Sequence, residues 1–305
     1  MKTAFLLPFL LAPLLQSDRL TSDFHPDFRE EFVASSLENF HYGSTGTKNR
    51  FKWKPGKKSR SEEATKVLSF KLNPKEEAGP GKGPEIISNK LTHFGSYSTR
   101  LKIPSTTKQP NVGAVVGFFT YREDVALGLS EVDMEWLIAD PEIIYVGTWT
   151  GKPGELKRLG RTINLAKGTI LATEYREDHR GYREDLTGGT SAPESIQPIE
   201  GFDASAQFHT YGFDWYPDRM RWWMLHPSTA DTVVLWDYQG EKGIPQHPSR
   251  YRMNFWHTNN WAVETNPNSL EKPKKKFELE VDWMEYMPLK ASDTPHPSLS
   301  TNLRM

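Results

Sequence analysis

The chain of 305 residues contains no cysteine. Thiol nucleophiles, thiolate-held zinc and a disulfide framework are therefore excluded, and a chain this long can bury a stable core without them. An excess of charge is lacking too. Lys and Arg number 38 against 39 Asp and Glu, a formal net charge of -1, so no global field draws in nucleic acid or an anionic membrane. The mixed basic and aromatic stretch KNRFKWKPGKKSR (48 to 60) is followed at once by Glu62 and Glu63 and reads as a solvated edge strand and loop. Long apolar runs are scarce. The run from Ala4 to Leu15 is too short to span a bilayer and is interrupted by Pro8 and Pro13, so residues 1–17 are expected to be a signal peptide and the protein to be secreted and extracellular. No Asn-x-Ser/Thr sequon supports or opposes that reading.

Capped apolar stripes of helical length are also missing, and a period of two takes their place. KVLSFKL, GSYSTRLKIP, FHTYGFDWYP, RMRWWML, DTVVLWDY, RYRMNFW and FELEVDW read as strands, and ten Trp, sixteen Phe and eleven Tyr favour pleated surfaces. The expectation is an all-β chain, an antiparallel sandwich or barrel, with residues 18–290 as one domain and 291–305 as a frayed tail. AGPGKGP (78 to 84) reads as a turn and residues 174–195 as a long polar loop.

SEVDMEWL (130 to 137) places Glu131, Asp133 and Glu135 on one face of a strand and the apolar Val132, Met134 and Trp136 on the other. Acids held side by side raise one another's pKa, so one can stay protonated while another is ionised, as acid-assisted glycoside cleavage requires. The outer ends of the triplet are about 13 Å apart along an ideal strand, against about 5 to 5.5 Å between the carboxyls of a retaining glycosidase. The Glu side chains must then lean together on a curved sheet. The pattern alone also fits a solvent-facing acidic stripe or a calcium site. FELEVDWMEY (277 to 286) repeats the acids, with Glu278, Glu280 and Asp282 alternating against Phe277, Leu279, Val281 and Trp283.

Five blocks in order, FGSYSTRLKIP, GAVVGFFTY with SEVDMEWL, FDASAQFHTYGFDWYPDRMRWW, YRMNFWHTNNW and FELEVDWMEY, resemble glycoside hydrolase family 16 over residues 65 to 288. The resemblance implies a β-jelly-roll sandwich with a concave substrate-binding sheet and a retaining endo-glycosidase acting on a β-1,3- or β-1,3(4)-glucan. It makes Glu131 the nucleophile, Asp133 its assistant and Glu135 the acid/base, and FELEVDWMEY a structural closing strand with Phe277, Leu279, Val281 and Trp283 as its core residues. A transglycosylase using the same residues and a lectin-like binder are the alternatives. Substrate contacts carried over are Asn254 and Trp256 in RYRMNFW, Trp261 just after it, Trp149 in YVGTWTG and Arg100 in GSYSTRLKIP. His209, on an apolar face, reads as a structural histidine. No cofactor or metal is called for, although some relatives hold a structural calcium. A monomer acting on polysaccharide, with no nucleic-acid or membrane partner, is expected. Leu129, Ser98 and Ile138 stand where relatives carry other residues, which speaks against a strict lichenase.

Overall fold

The computed structural model describes residues 23–43, 50–55, 66–188 and 191–290. The expected signal peptide and C-terminal tail lie outside these residues. In chain order the strands are β1 (Phe28–Glu30), β2 (Phe40–Tyr42), β3 (Phe51–Pro55), β4 (Lys66–Leu72), β5 (Glu85–Ser88) and β6 (Gly95–Lys102). They continue as β7 (Ala114–Asp124), β8 (Gly128–Leu137), β9 (Ile143–Gly151), β10 (Lys157–Asn164), β11 (Thr169–Glu177) and β12 (Tyr182–Asp185). The last are β13 (Ser191–Ala192), β14 (His209–Trp215), β15 (Met220–Leu225), β16 (Thr232–Tyr238), β17 (Arg250–His257) and β18 (Phe277–Pro288).

They form two nine-stranded antiparallel sheets. The first runs β13-β16-β15-β14-β6-β18-β4-β3, with β1 on β18, and the second runs β12-β11-β10-β9-β8-β7-β17-β5-β2. The sequence's period of two sets which residues meet between the sheets. Tyr97, Tyr211, Phe213, Trp215 and Trp222 of the first sheet and Phe118, Met134, Trp136, Tyr251 and Phe255 of the second are fully buried in one core. Rings meet across it: Trp136 on Tyr211 at 4.7 Å, Phe118 on Phe213 at 5.3 Å and Tyr97 on Tyr251 at 5.2 Å. Such pairs contribute roughly 0.5–1.5 kcal/mol each beyond the area they bury. His209 is buried as expected of a structural residue, with Nε2 3.2 Å from the Asp203 carbonyl oxygen.

Two expectations need correction. Trp283 is not a core residue. A register shift between Val281 and Trp283 inserts an extra residue into β18, so the alternation changes phase and Met284 and Tyr286 take the inward places. Trp283 faces outward beneath the guanidinium of Arg29, 4.0 Å from the ring centroid. Residues 174–195 are not one irregular loop either. β11 continues to Glu177, and β12 pairs back on it from Glu174↔Asp185 to Glu177↔Tyr182, which extends the edge of the second sheet. Glu174 accepts ion pairs from Arg183, diagonally across the hairpin, and from Arg176, two residues on in its own strand, which supports this polar hairpin at the sheet edge.

Candidate active site

The β7–β8 hairpin fixes where the acids stand. Asp124 Oδ1 accepts from the backbone N–H groups of Ala126 (2.9 Å) and Leu127 (3.0 Å), and Gly128 follows with φ 90°. A side chain at Gly128 would be strained there and would meet the Gly151 carbonyl oxygen at 2.6 Å. With the turn so defined, Tyr121 pairs with Glu131, Phe119 with Asp133 and Gly117 with Glu135. On the other side, Glu131 faces Trp149, Asp133 faces Gly147 and Glu135 faces Tyr145.

The strand is anchored from below. Val132, Met134 and Trp136 are buried in the core, and Trp222 Nε1 reaches across the sandwich to donate to the backbone oxygen of Asp133 at 3.0 Å. Ser249 Oγ donates to the Ser130 carbonyl oxygen at 2.8 Å. The alternation that buries one face therefore holds the three acids on the other, above a rigid floor.

They line a cavity of about 300 Å³ with Phe119 and Tyr121 of β7, Arg252 and Asn254 of β17 and Glu85 of β5, while Pro80 and Gly81 of the 78–84 turn form part of the rim. Arg252 donates to Glu85 Oε1 at 3.2 Å and lies 4.9 Å from the Tyr121 ring centroid. Asn254 is only 6% exposed, and its Oδ1 has no hydrogen-bond partner. That oxygen sits over Gly117, where a Cβ would come within 2.6 Å of it. The glycine thus opens the space between Asn254 and Glu135, and it leaves a buried polar atom free for a hydroxyl-bearing ligand.

The acids share one electrostatic environment. Burial pushes Glu131 up to about 8, helped by the charge of Glu135 and opposed by Arg252. Asp133, 7% exposed, is held well above the usual carboxylate range by burial, then by Glu131 and Glu135, against Arg158. Burial raises Glu135 to about 7, with Arg158 opposing. The three titrate as a set, so these steps belong to the row as a whole. With Glu131 and Glu135 titrating near neutrality, the row can both donate a proton and present an ionised oxygen. Among the described residues, no group of three or more His, Asp or Glu is placed to hold a metal ion.

The other expected contacts divide. Asn254 lines the cavity. Trp149 stands beside Glu131 and lines a smaller cleft with Asp133 and Glu135. Trp256 and Trp261 share the outer face of this sheet but not the cavity. They pack on a second apolar cluster of Val115, Leu137, Ile143, Tyr145 and Val263, and Trp261 meets Tyr145 edge-on at 5.0 Å. Arg100 is a correction. It lies on β6 in the opposite sheet, ion-paired with Asp282 and 5.2 Å from the Phe208 ring, with the whole core between it and the acids. Glu85, Tyr121 and Arg158 were missed. Each alternates correctly in its strand, but only cross-strand register shows which alternating residues meet the acids.

Residues 186–285 match the model of the family described as glycosyl hydrolases family 16. That span takes in β14 to β17 and most of β18 but not the carboxylate strand. A beta-glucanase of Acetivibrio thermocellus is 28% identical over 178 residues, 58% of this chain and 38% of the relative. A beta-glucanase of Paenibacillus polymyxa is 33% identical over 100 residues, 33% of this chain and 37% of the relative. The chain thus spans well under half the length of these two relatives. Among solved structures, a prokaryotic beta-1,3-1,4-glucanase (lichenase) derived from a mouse hindgut metagenome matches with a TM-score of 0.52 at 18% identity. The match covers 87% of this chain and 100% of that one, and it shows a shared sandwich fold. The resemblance drawn from the five blocks is borne out as a resemblance: residues 186–285 are similar to the glycosyl hydrolases of family 16, and the sandwich shares its fold with a solved lichenase.

Proposed function

We propose that the protein is a retaining endo-glycosidase that hydrolyses a β-linked glucan of the β-1,3 or β-1,3(4) type. The observation that carries this reading is the row Glu131, Asp133 and Glu135, fixed on one strand at the floor of a cavity and raised in pKa by burial. Ionised Glu131 attacks the anomeric carbon while Glu135 gives its proton to the departing oxygen; Glu135 then takes a proton from water, which releases the sugar from Glu131. Asp133, between them and almost wholly buried, steadies the nucleophile. Asn254 and Arg252 offer hydrogen bonds to sugar hydroxyls, and Trp149 offers an apolar ring face. The chemistry draws on carboxyl groups alone and calls for no cofactor. The apolar run after Lys2 supports secretion, which suits an enzyme acting on a polymer outside the cell.

The test is product analysis on laminarin, mixed-linkage glucan, xyloglucan, chitin, agarose and carrageenan, recording reducing ends and chain length together. The wild type is expected to shorten a β-glucan and Glu131→Gln to leave it intact. Turnover by Glu131→Gln within a few-fold of wild type would remove Glu131 from the nucleophile's role.

A further inference from the structure

Beyond the acids and the sugar contacts, the cleft holds a cation that the proposed reaction has not used. Arg158, on β10, is two strands from the acids and pairs across to Trp149. It nevertheless lines the same small cleft as Asp133 and Glu135. Two glycines make that approach possible. Gly147 and Gly160 are paired neighbours in the row that begins at Asp133, so no side chain stands between Asp133 and β10 on that row. A Cβ at Gly160 would meet Arg158 Nε at 3.3 Å and Nη2 at 3.6 Å, which places the guanidinium across that gap. Its carbon lies 5.5 Å from the Trp149 ring centroid, and no carboxylate among the described residues lies within ion-pairing distance of it.

We infer that Arg158 is a positioning residue for the carboxylate row, its guanidinium laid across the glycine gap so that its charge, without a direct ion pair, favours the ionised form at the Asp133–Glu135 end from the β10 side. Resting on the glycosidase reading, this assigns the two sides of the cleft different cations. Arg252 stands near Glu131 and is engaged by Glu85, whereas Arg158 is uncommitted and acts on Asp133 and Glu135. A cation there favours the ionised form that Glu135 must adopt after giving up its proton, and so limits how far burial raises it. The charged and titratable groups around Glu135 are Glu131 and Asp133 on its own strand, Tyr121 on β7, Arg252 on β17, Glu85 on β5, Tyr145 on β9 with its bonded partner Glu264, and Arg158 on β10. Of the two arginines, only Arg158 opposes the rise at Glu135.

The test follows the Glu135 carboxyl directly, by ¹³C NMR of protein labelled at glutamate, assigned by the signal lost in Glu135→Gln. In Arg158→Gln the Glu135 midpoint is expected to move up by about one pH unit, and in Arg158→Lys to return toward wild type. Gly160→Ala, which displaces the guanidinium without removing it, is expected to move the midpoint the same way by less. An unchanged midpoint in folded Arg158→Gln overturns the inference. On whichever β-glucan the wild type cleaves, Arg158→Gln is expected to lower kcat roughly tenfold with little change in KM and to carry the basic limb of the pH profile upward with the midpoint. A loss confined to KM would make Arg158 a sugar contact only and overturn its positioning role. If the midpoint shifts but the wild type cleaves no polymer, the glycosidase reading fails and the electrostatic role of Arg158 stands.

Discussion

At the scale of single residues, the acids bear a cost that substitution can reveal. Glu131 is raised to about 8 in the folded protein, within a row that titrates as a unit, whereas a free side chain releases its proton near 4.5. Between these values the folded state binds more protons than the unfolded state, so stability falls as pH rises, by at most about 1.4 kcal/mol per pH unit for this group. Below about 4.5 the contribution is flat. Glu131→Gln removes the penalty, and its melting temperature is expected to match wild type near pH 4 and to exceed it by a margin that widens up to pH 8. A constant difference across that range would mean that Glu131 is not held protonated. Asn254 makes a second case. Truncation to alanine deletes a buried amide whose oxygen has no protein partner, so little folding stability is lost from that atom. Substrate binding is expected to weaken by about 1 kcal/mol, roughly fivefold in KM. Steady-state kinetics beside a thermal melt separates the two effects.

At the scale of elements, β8 works because other strands hold it. Trp222→Phe keeps the core ring but removes the donor to the Asp133 carbonyl oxygen. The expected loss is about 1–3 kcal/mol of stability, since a buried acceptor is left unpaired, together with a fall in kcat as the carboxylate row loosens. Chemical denaturation and kinetics on the same samples check both. The strands themselves were legible because a half-buried strand writes its period into the sequence: KVLSFKL became β4 without change, and SEVDMEWL separated into core and site as read. Trp283 was illegible because one extra residue in β18 reverses every side chain after it and leaves no compositional mark. The β11–β12 hairpin was illegible for a different reason. Where the two strands pair, EYRE against YRED, Tyr175 is the one residue in the core, so apolar alternation does not mark them. Arg100 shows the third limit, because periodicity gives the face of a strand but not which of two sheets the strand joins.

At the scale of the whole molecule, the sandwich places a dense aromatic core under a polar cavity, and the cavity's pH behaviour should dominate that of the proposed hydrolysis. Glu131 must be ionised and Glu135 protonated, and with Glu131 raised to about 8 and Glu135 to about 7 this placement of the shared proton is the less populated one. Activity is expected to fall on the acid side as the nucleophile gains its proton and on the alkaline side as the acid loses its own, giving a bell for kcat/KM whose limbs report the row as a unit. A profile flat from pH 5 to 9 would separate catalysis from these carboxyls. The most direct test of the central claim is the configuration of the sugar first released, read by proton NMR in the opening minutes of β-glucan hydrolysis, before mutarotation mixes the anomers. Attack by Glu131 followed by water on the opposite face predicts the β-anomer first, and with Glu131→Gln no new reducing ends. Early release of the α-anomer, or cleavage that persists without Glu131, would contradict the double displacement on this strand.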